Sequence, residues 1–129
     1  MAKVAFDVDD TLILFNNERD EPNRPLLNVL IWFYMQGHDI IVWSGGGKDY
    51  AEMWARRLMI DHMVEAREKP PFVLTPRDDG TKYAEVPFNP DDRYAVDICF
   101  DDQIVYWGKV NIQVRTMGGV STHEQHRGL

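Results

Sequence analysis

The sequence predicts an α/β fold built on a parallel sheet. Short apolar runs alternate with segments of helical periodicity through the first 60 residues, and this alternation is typical of βαβ units. The first run, at residues 4–8, is apolar enough to be a buried central strand. Polar residues follow the ends of several predicted strands. Because parallel strands open at one edge of their sheet, we expect a ligand site there.

Two helices are predicted in the first half of the chain. Residues 16–25 are polar and rich in turn formers, and Pro25 suits the first turn of a helix that Gly37 ends near residue 36. After a second short strand at residues 40–43, residues 48–60 are predicted to be helical. The apolar residues at helical spacing in that second segment are Tyr50, Met53, Trp54 and Leu58.

The second half of the chain is less regular. A short apolar segment lies at residues 63–66, and residues 72–75 and 81–86 are predicted to pair as a hairpin around a Pro-Arg-Asp-Asp-Gly turn. A further apolar strand follows at residues 95–100. A stub of helix is then predicted at 103–107 and a last strand at 110–114.

The chain is expected to form a single domain over residues 1–116. The length of 129 residues is enough for one hydrophobic core and too little for a second large domain. The hairpin-like region at about residues 70–90 is its one insertion. Residues 117–129 are polar and glycine-rich at their start, so we expect a flexible C-terminal tail.

Composition limits the possible partners and compartment. A formal net charge of −7 argues against broad electrostatic binding to nucleic acid or to an anionic membrane. The single cysteine, Cys99, cannot form an internal disulfide and lies in an apolar run, which is typical of a cytoplasmic protein. No apolar run has the length of a membrane span, so we expect no membrane partner.

Carboxylates and a hydroxyl alternate at the end of the first predicted strand, as Asp7, Asp9 and Thr11. One Asp in such a place is often only a turn former or a helix N-cap. Several carboxylates that repel one another at a sheet edge are costly without a cation. Mg²⁺ takes hard oxygen ligands, so the pattern predicts a Mg²⁺ site, with Asp10 as a bystander.

Further polar residues follow later strands in a fixed order: Ser44-Gly45, then Lys69, then Asp101-Asp102. Together with Asp7-x-Asp9-x-Thr11-Leu12, this ordered set resembles the motifs of the haloacid dehalogenase (HAD) superfamily of phosphoaspartate phosphotransferases. The resemblance covers about residues 2–114. It implies a three-layer, Rossmann-like core and a Mg²⁺-dependent phosphatase that hydrolyses phosphate monoesters.

The resemblance also implies a role for each acidic residue. Asp7 would attack phosphorus to form an aspartyl phosphate, and Asp9 would protonate the leaving group and then activate water. Asp7, the main-chain carbonyl of Asp9 and Asp101 would hold Mg²⁺. Asp102 would assist through water, with Asp97 as the alternative second acid of that motif.

The same resemblance assigns the phosphoryl group to a second set of residues. Thr11, Ser44 and Gly45 would bind it, since a hydroxyl followed by glycines offers donors to an anion. Ser44 could instead be the N-cap of the next helix. Lys69 would neutralise the nucleophile and the phosphoryl group together. Three other cations could reach the site from neighbouring loops: Lys48, Arg67 and Lys82.

The substrate is left open between a small molecule and a nucleic-acid end. Few residues separate the first motif from the first helix, so no sizeable helical cap fits there and the site is expected to be open. The residues after the second acid pair are similar to the phosphatase half of polynucleotide kinase-phosphatases, which act on 3′ phosphates: Gln103, Val105, Tyr106 and Trp107. A receiver-like module and a non-catalytic metal-binding module are the alternatives from other classes.

Overall fold

The computed structural model describes residues 1–16, 19–70, 73–76, 78–80, 82–85 and 95–115. Within those residues there are two helices, α1 (Arg24–Met35) and α2 (Lys48–Arg57). The strands are β1 (Lys3–Asp7), β2 (Ile13–Asn16), β3 (Arg19–Pro22), β4 (Asp39–Ser44), β5 (Val64–Glu68), β6 (Val73–Pro76), β7 (Lys82–Glu85), β8 (Val96–Asp101) and β9 (Gly108–Gln113).

Five of these strands form one sheet in the order β5-β4-β1-β8-β9. Every neighbouring pair in it is parallel, and β1 lies in the middle. The predicted α/β fold with a parallel sheet is therefore confirmed. Strands β1, β4 and β8 end at Asp7, Ser44 and Asp101, so these three polar residues meet at the same edge of the sheet.

The sheet is buried on both faces by different parts of the chain. On one face, Phe6 and Val42 pack with Leu30 of α1 and Trp54 of α2, and the rings of Phe6 and Phe100 stack at 4.7 Å. The other face carries a smaller cluster: Ala5, Ile41, Trp43, Val96, Cys99, Val105 and Trp107. Both described helices thus share one face, as expected because β1, β4 and β5 follow one another in a single direction with right-handed crossovers.

Part of the predicted three-layer arrangement is not seen in the described residues. The segment expected to be a stub of helix at 103–107 is an extended loop, and it covers the second face with the side chains of Val105 and Trp107. Trp107 is buried in that cluster although it lies in a loop. Among the described residues, that face has no helix of its own.

Both helices end in the same hydrogen-bond pattern. In α1, Gly37 has φ 87°, and His38 N–H donates to the carbonyl of Phe33. In α2, Met59 takes the left-handed φ of 61°, and Ile60 N–H donates to the carbonyl of Ala55. The prediction that the second helix reaches residue 60 was wrong. The helix ends at Arg57, because Met59 takes a left-handed conformation, and Ile60 is buried beyond the cap.

Two antiparallel hairpins accompany the sheet. Strands β6 and β7 pair from Val73↔Glu85 to Pro76↔Lys82, so the hairpin predicted within residues 70–90 is confirmed where the structure describes it. Strands β2 and β3 form a hairpin directly after the first motif, and β3 lies within residues 16–25, which were predicted to be a polar loop. Its sequence lacks the apolar alternation that marks a half-buried strand.

No helix in the described part of the chain is long and apolar enough to cross a membrane. Cys99 is a free, buried thiol, as predicted, and burial raises its pKa above the usual range. The predicted tail at residues 117–129 lies outside the described residues.

Truncation of Leu30 tests whether α1 holds the sheet. This side chain is fully buried against β1 and β4, so Leu30→Ala should lower the free energy of unfolding by about 2 to 5 kcal/mol. Urea unfolding followed by circular dichroism measures the loss. Val29→Ala, one residue away on the exposed side of α1, is the matched control and should change stability by less than about 1 kcal/mol. Equal losses in the two variants would contradict this packing.

Candidate active site

Three carboxylates and one ammonium group meet at the carboxyl edge of the sheet. Oxygen atoms of Asp7, Asp101 and Asp102 lie within 4.8 Å of one another. Lys69 Nζ lies 2.8 Å from Asp7 Oδ1 and 2.7 Å from Asp101 Oδ2. Asp7 and Asp101 are buried and Asp102 is partly buried. The lysine therefore bridges the ends of the two neighbouring strands β1 and β8.

Strand pairing brings Lys69 to this position. It follows Glu68, the last residue of β5, and its N–H donates to the carbonyl of Ser44 at 3.1 Å, which extends the pairing of β5 with β4 by one bond. Its side chain then crosses the end of β4 towards β1 and β8, 5.5 Å from the centre of the Trp107 ring. An ammonium over an aromatic face is an additional favourable contact.

A tight turn after β1 sets the first motif. Thr11 N–H and Ile13 N–H both donate to the carbonyl of Val8, and Asp10 at φ 57° takes the left-handed conformation that Asp tolerates better than most residues. The turn places the hydroxyl of Thr11 against Asp7, where it donates to Oδ2 at 3.0 Å. Both oxygens of Asp7 are therefore held, one by Thr11 and the other by Lys69.

The cluster contains more negative than positive charge. Burial raises the pKa of Asp7 well above its usual value, and repulsion by Asp101 raises it further, although Lys69 opposes both effects. Burial and repulsion by Asp101 also raise the pKa of Asp102 to about 7. Burial disfavours the charged form of Lys69, but Asp7 and Asp101 outweigh it, and its pKa lies above the ordinary lysine value.

The donor set fits a hard divalent cation. Three carboxylates face a single ammonium group, so a doubly charged ion would balance the site, and every side-chain donor in the acid cluster is an oxygen. Mg²⁺ prefers oxygen ligands and retains several waters, so it needs only a few protein groups. Asp7, Asp101 and Asp102 are the side chains that could hold it.

Asp9 lies outside the acid cluster and points towards helix α2. The hydroxyl of Tyr50 donates to Asp9 Oδ1 at 2.6 Å. Burial and the hydrogen bond to Asp9 raise the pKa of Tyr50 to about 12, so the phenol keeps its proton at neutral pH. Asp7 and Asp9 therefore have different surroundings although only one residue separates them.

The loop between β4 and α2 supplies donors beside this edge. Ser44 is buried, and its hydroxyl accepts a hydrogen bond from Gly46 N–H at 3.0 Å. Gly45 is exposed, and Gly47 is the N-cap of α2, so Ser44 is not the cap that the alternative interpretation required. No described side chain caps this helix, and its first backbone amides remain available to an anion.

The structure separates the predicted site residues into two groups. Asp7, Asp101 and Asp102 lie within 4.8 Å of one another, Lys69 contacts Asp7 and Asp101, and Thr11 contacts Asp7. Asp9 lies in the turn after β1, and Ser44 ends β4. Thr11 is fully buried, so its hydroxyl contacts Asp7 rather than facing solvent.

The sequence also named four alternative residues: Asp97, Arg67, Lys48 and Lys82. Asp97, near the opposite end of β8, accepts a hydrogen bond from Lys3 N–H at 2.7 Å, far from Asp101 along the strand. Arg67 pairs with Glu65 at 2.7 Å. Lys48 begins α2 and is exposed, and the side chain of Lys82 lies outside the described set.

Three residues of the site were not predicted. Tyr50 was predicted only as one of the apolar residues at helical spacing in α2, and nothing in the sequence indicates that Trp107 lies next to Lys69. Asn23 caps α1 and donates from Nδ2 to the carbonyl of Thr11 at 2.9 Å, which ties the first motif to the helix. An Asn two residues before a Pro at a helix start is a recognisable cap signal.

No protein-family model matches this chain, and no curated protein or solved structure matches it either.

Neutralising Asp102 should stabilise the protein when a chelator removes divalent metal. Its pKa is about 7 in the folded state against 3.8 as the reference value, so ionisation favours unfolding and stability falls as pH rises from about 4 to 7. Asp102→Asn removes this loss. The variant should gain on the order of 2 kcal/mol over the parent at pH 8, and the gain should shrink towards pH 4.

Urea unfolding in chelator across this pH range measures the difference. Asp97→Asn is the control, because the Lys3 N–H holds the pKa of Asp97 below its usual value and the same gain should not appear. Parallel stability curves for Asp102→Asn and the parent would show that the acid cluster carries no such repulsion.

Proposed function

We propose that the protein is a Mg²⁺-dependent phosphatase of the HAD type, which hydrolyses phosphate monoesters through an aspartyl phosphate. The observation that carries the proposal is the environment of Asp7. This carboxylate ends the central strand, is 4% exposed, and is held by Lys69 on one oxygen and by Thr11 on the other. Structural carboxylates are seldom buried in this way beside two further acids.

The attack of a carboxylate on a phosphate monoester brings together groups of like charge. Positive charge near the nucleophile lowers this barrier and stabilises the charge on the transferred phosphoryl oxygens. Lys69, whose ammonium contacts Asp7, supplies part of it. Asp7, the main-chain carbonyl of Asp9, Asp101 and Asp102 would hold Mg²⁺. When bound, the ion would neutralise the phosphate and polarise its P–O bonds.

The loop after β4 is the proposed phosphoryl-binding loop. Ser44 ends β4 beside β1, and Gly45 and the start of α2, which no described side chain caps, offer backbone amides to an anion. Helix N-termini favour anions through their free N–H groups and the helix dipole. Ser44 and Gly45 would therefore orient the phosphoryl group over Asp7.

Asp9 would manage the proton in both half-reactions. In the first, Asp7 forms a bond to phosphorus and the bond to the leaving oxygen breaks; that oxygen keeps the electron pair and takes a proton from Asp9. In the second, Asp9 removes a proton from water, and the water oxygen forms a bond to phosphorus. The bond between the Asp7 oxygen and phosphorus breaks, and Asp7 keeps the electron pair. Both carboxyl groups return to their initial states.

The position of Asp9 favours this function over a non-catalytic metal module. Metal binding alone would require Asp7, Asp101 and Asp102, and it gives the side chain of Asp9 no task. Asp9, two residues after the end of β1, is nevertheless held by a hydrogen bond from the Tyr50 hydroxyl. The choice between small phosphates and 3′-phosphorylated nucleic-acid ends is a matter for a substrate panel, since the net charge of −7 gives no help with nucleic acid.

Replacing the nucleophile should abolish activity. With Mg²⁺, the protein should hydrolyse an aryl phosphate, and Asp7→Asn should lower kcat by about 10³-fold or more because the amide cannot form the phosphoryl ester. Release of inorganic phosphate is the measurement, with nucleotides, sugar phosphates and 3′-phosphorylated oligonucleotides compared in parallel. Circular dichroism checks that the variant is folded.

Asp97→Asn is the matched control, because Asp97 stands on the same strand as Asp101 and hydrogen-bonds to the backbone of Lys3. Its turnover should equal that of the parent protein. Undiminished turnover by Asp7→Asn, or activity that persists without divalent metal, would reject the proposed function.

A further inference from the structure

We propose that Tyr50 is a positioning residue for Asp9, and that its hydroxyl sets the direction in which Asp9 presents its proton to the leaving group. The inference rests on the proposed function, because it concerns a step of that reaction. It adds a residue that belongs to none of the motifs discussed above. Tyr50 lies in the first turn of α2, 41 residues from Asp9 in sequence.

The contact between the two side chains is short and directional. Tyr50 O–H donates to Asp9 Oδ1 at 2.6 Å, which is the length of a strong hydrogen bond to a carboxylate. A free Asp side chain at the end of a turn has several accessible rotamers. A single strong donor on one oxygen selects the rotamer that reaches α2 and leaves Oδ2 as the oxygen that exchanges the proton.

The backbone holds the tyrosine ring in turn. A Cβ atom added to Gly46 would lie 3.3 Å from both Cγ and Cδ1 of Tyr50 and 3.4 Å from Ser44 Oγ. The ring therefore lies directly on the backbone of the loop, at a contact that only glycine permits without displacement. The same residue, Gly46, donates its N–H to Ser44 Oγ.

Tyr50 thus connects two parts of the proposed machinery. Through its ring it rests on the phosphoryl-binding loop, and through its hydroxyl it holds Asp9. A phosphoryl group that is bound by Ser44 and Gly45 would meet Asp9 in a fixed relation to that loop. The tyrosine keeps its own proton throughout, and proton transfer takes place between Asp9 Oδ2 and the leaving oxygen.

Tyr50→Phe removes the hydroxyl and retains the ring. Its effect on kcat/KM should depend on the leaving group, because kcat/KM reports the first half-reaction. For an alkyl phosphate, which requires protonation of the leaving oxygen, kcat/KM should fall by about 10- to 100-fold. For p-nitrophenyl phosphate, whose leaving group needs no proton, it should stay within about 3-fold. The Mg²⁺ concentration for half-maximal activity should be unchanged.

Tyr34→Phe is the matched control, since Tyr34 is an exposed tyrosine on α1 and should give parent values with both substrates. The double variant Asp9→Asn/Tyr50→Phe tests whether Tyr50 acts through Asp9. It should be no slower with the alkyl phosphate than Asp9→Asn alone, so the two losses should not add. Equal losses with both substrates, no loss with either, or additive losses would overturn the inference.

A structural measurement separates this inference from the proposed function. Crystal structures of the parent and of Tyr50→Phe should show the Asp9 carboxylate in a different rotamer in the variant. The hydrogen bond from Gly46 N–H to Ser44 Oγ should be retained in both. An unchanged Asp9 rotamer would overturn the inference even if the enzyme is active. A parent protein without phosphatase activity would instead reject the proposed function, whichever rotamer Asp9 adopts.

Discussion

The structure depends on the ion pairs of Lys69 with Asp7 and Asp101. Two buried carboxylates, Asp7 and Asp101, lie at the ends of adjacent strands and repel each other, and burial raises the pKa of Asp7. The ammonium group between them, 2.8 and 2.7 Å away, makes this arrangement tenable. It compensates only part of the charge, because Asp102 is also present. The same shortage of positive charge that limits stability makes the edge suitable for a divalent cation.

The parallel sheet explains why these groups meet. With β1 in the centre, its end lies between those of β4 and β8, so Asp7, Ser44 and Asp101 converge although nearly one hundred residues separate the first from the last. The sequence is sufficient to predict this convergence, since each of the three strands is an apolar run that stops at a polar residue. Because these strands are parallel, their ends lie on one edge of the sheet.

Other features could not be predicted because their sequence signals are shared with other structures. Tyr50 occupies an apolar position of an amphipathic helix, and only the fold shows that its hydroxyl reaches Asp9. Several lysine and arginine residues lie close enough in sequence to reach the site. Lys69 does so because the hydrogen bond from its N–H to the carbonyl of Ser44 extends β5 along β4 by one residue. The second strand of the β2–β3 hairpin is exposed throughout, so no burial pattern marks it in the sequence. The polar residues at the strand ends could be predicted from the sequence, whereas the contacts that hold them in place depend on long-range packing.

The central claim is that Asp7 becomes phosphorylated, and chemical trapping of the intermediate tests it most directly. Protein quenched during turnover of an aryl phosphate with Mg²⁺ can be reduced with borohydride, which converts an aspartyl phosphate to homoserine. Peptide mass spectrometry should then find homoserine at residue 7, with Asp9, Asp101 and Asp102 intact. Homoserine at any of those other positions, or steady turnover with no trapped residue under conditions in which phosphoenzyme accumulates, would contradict the account.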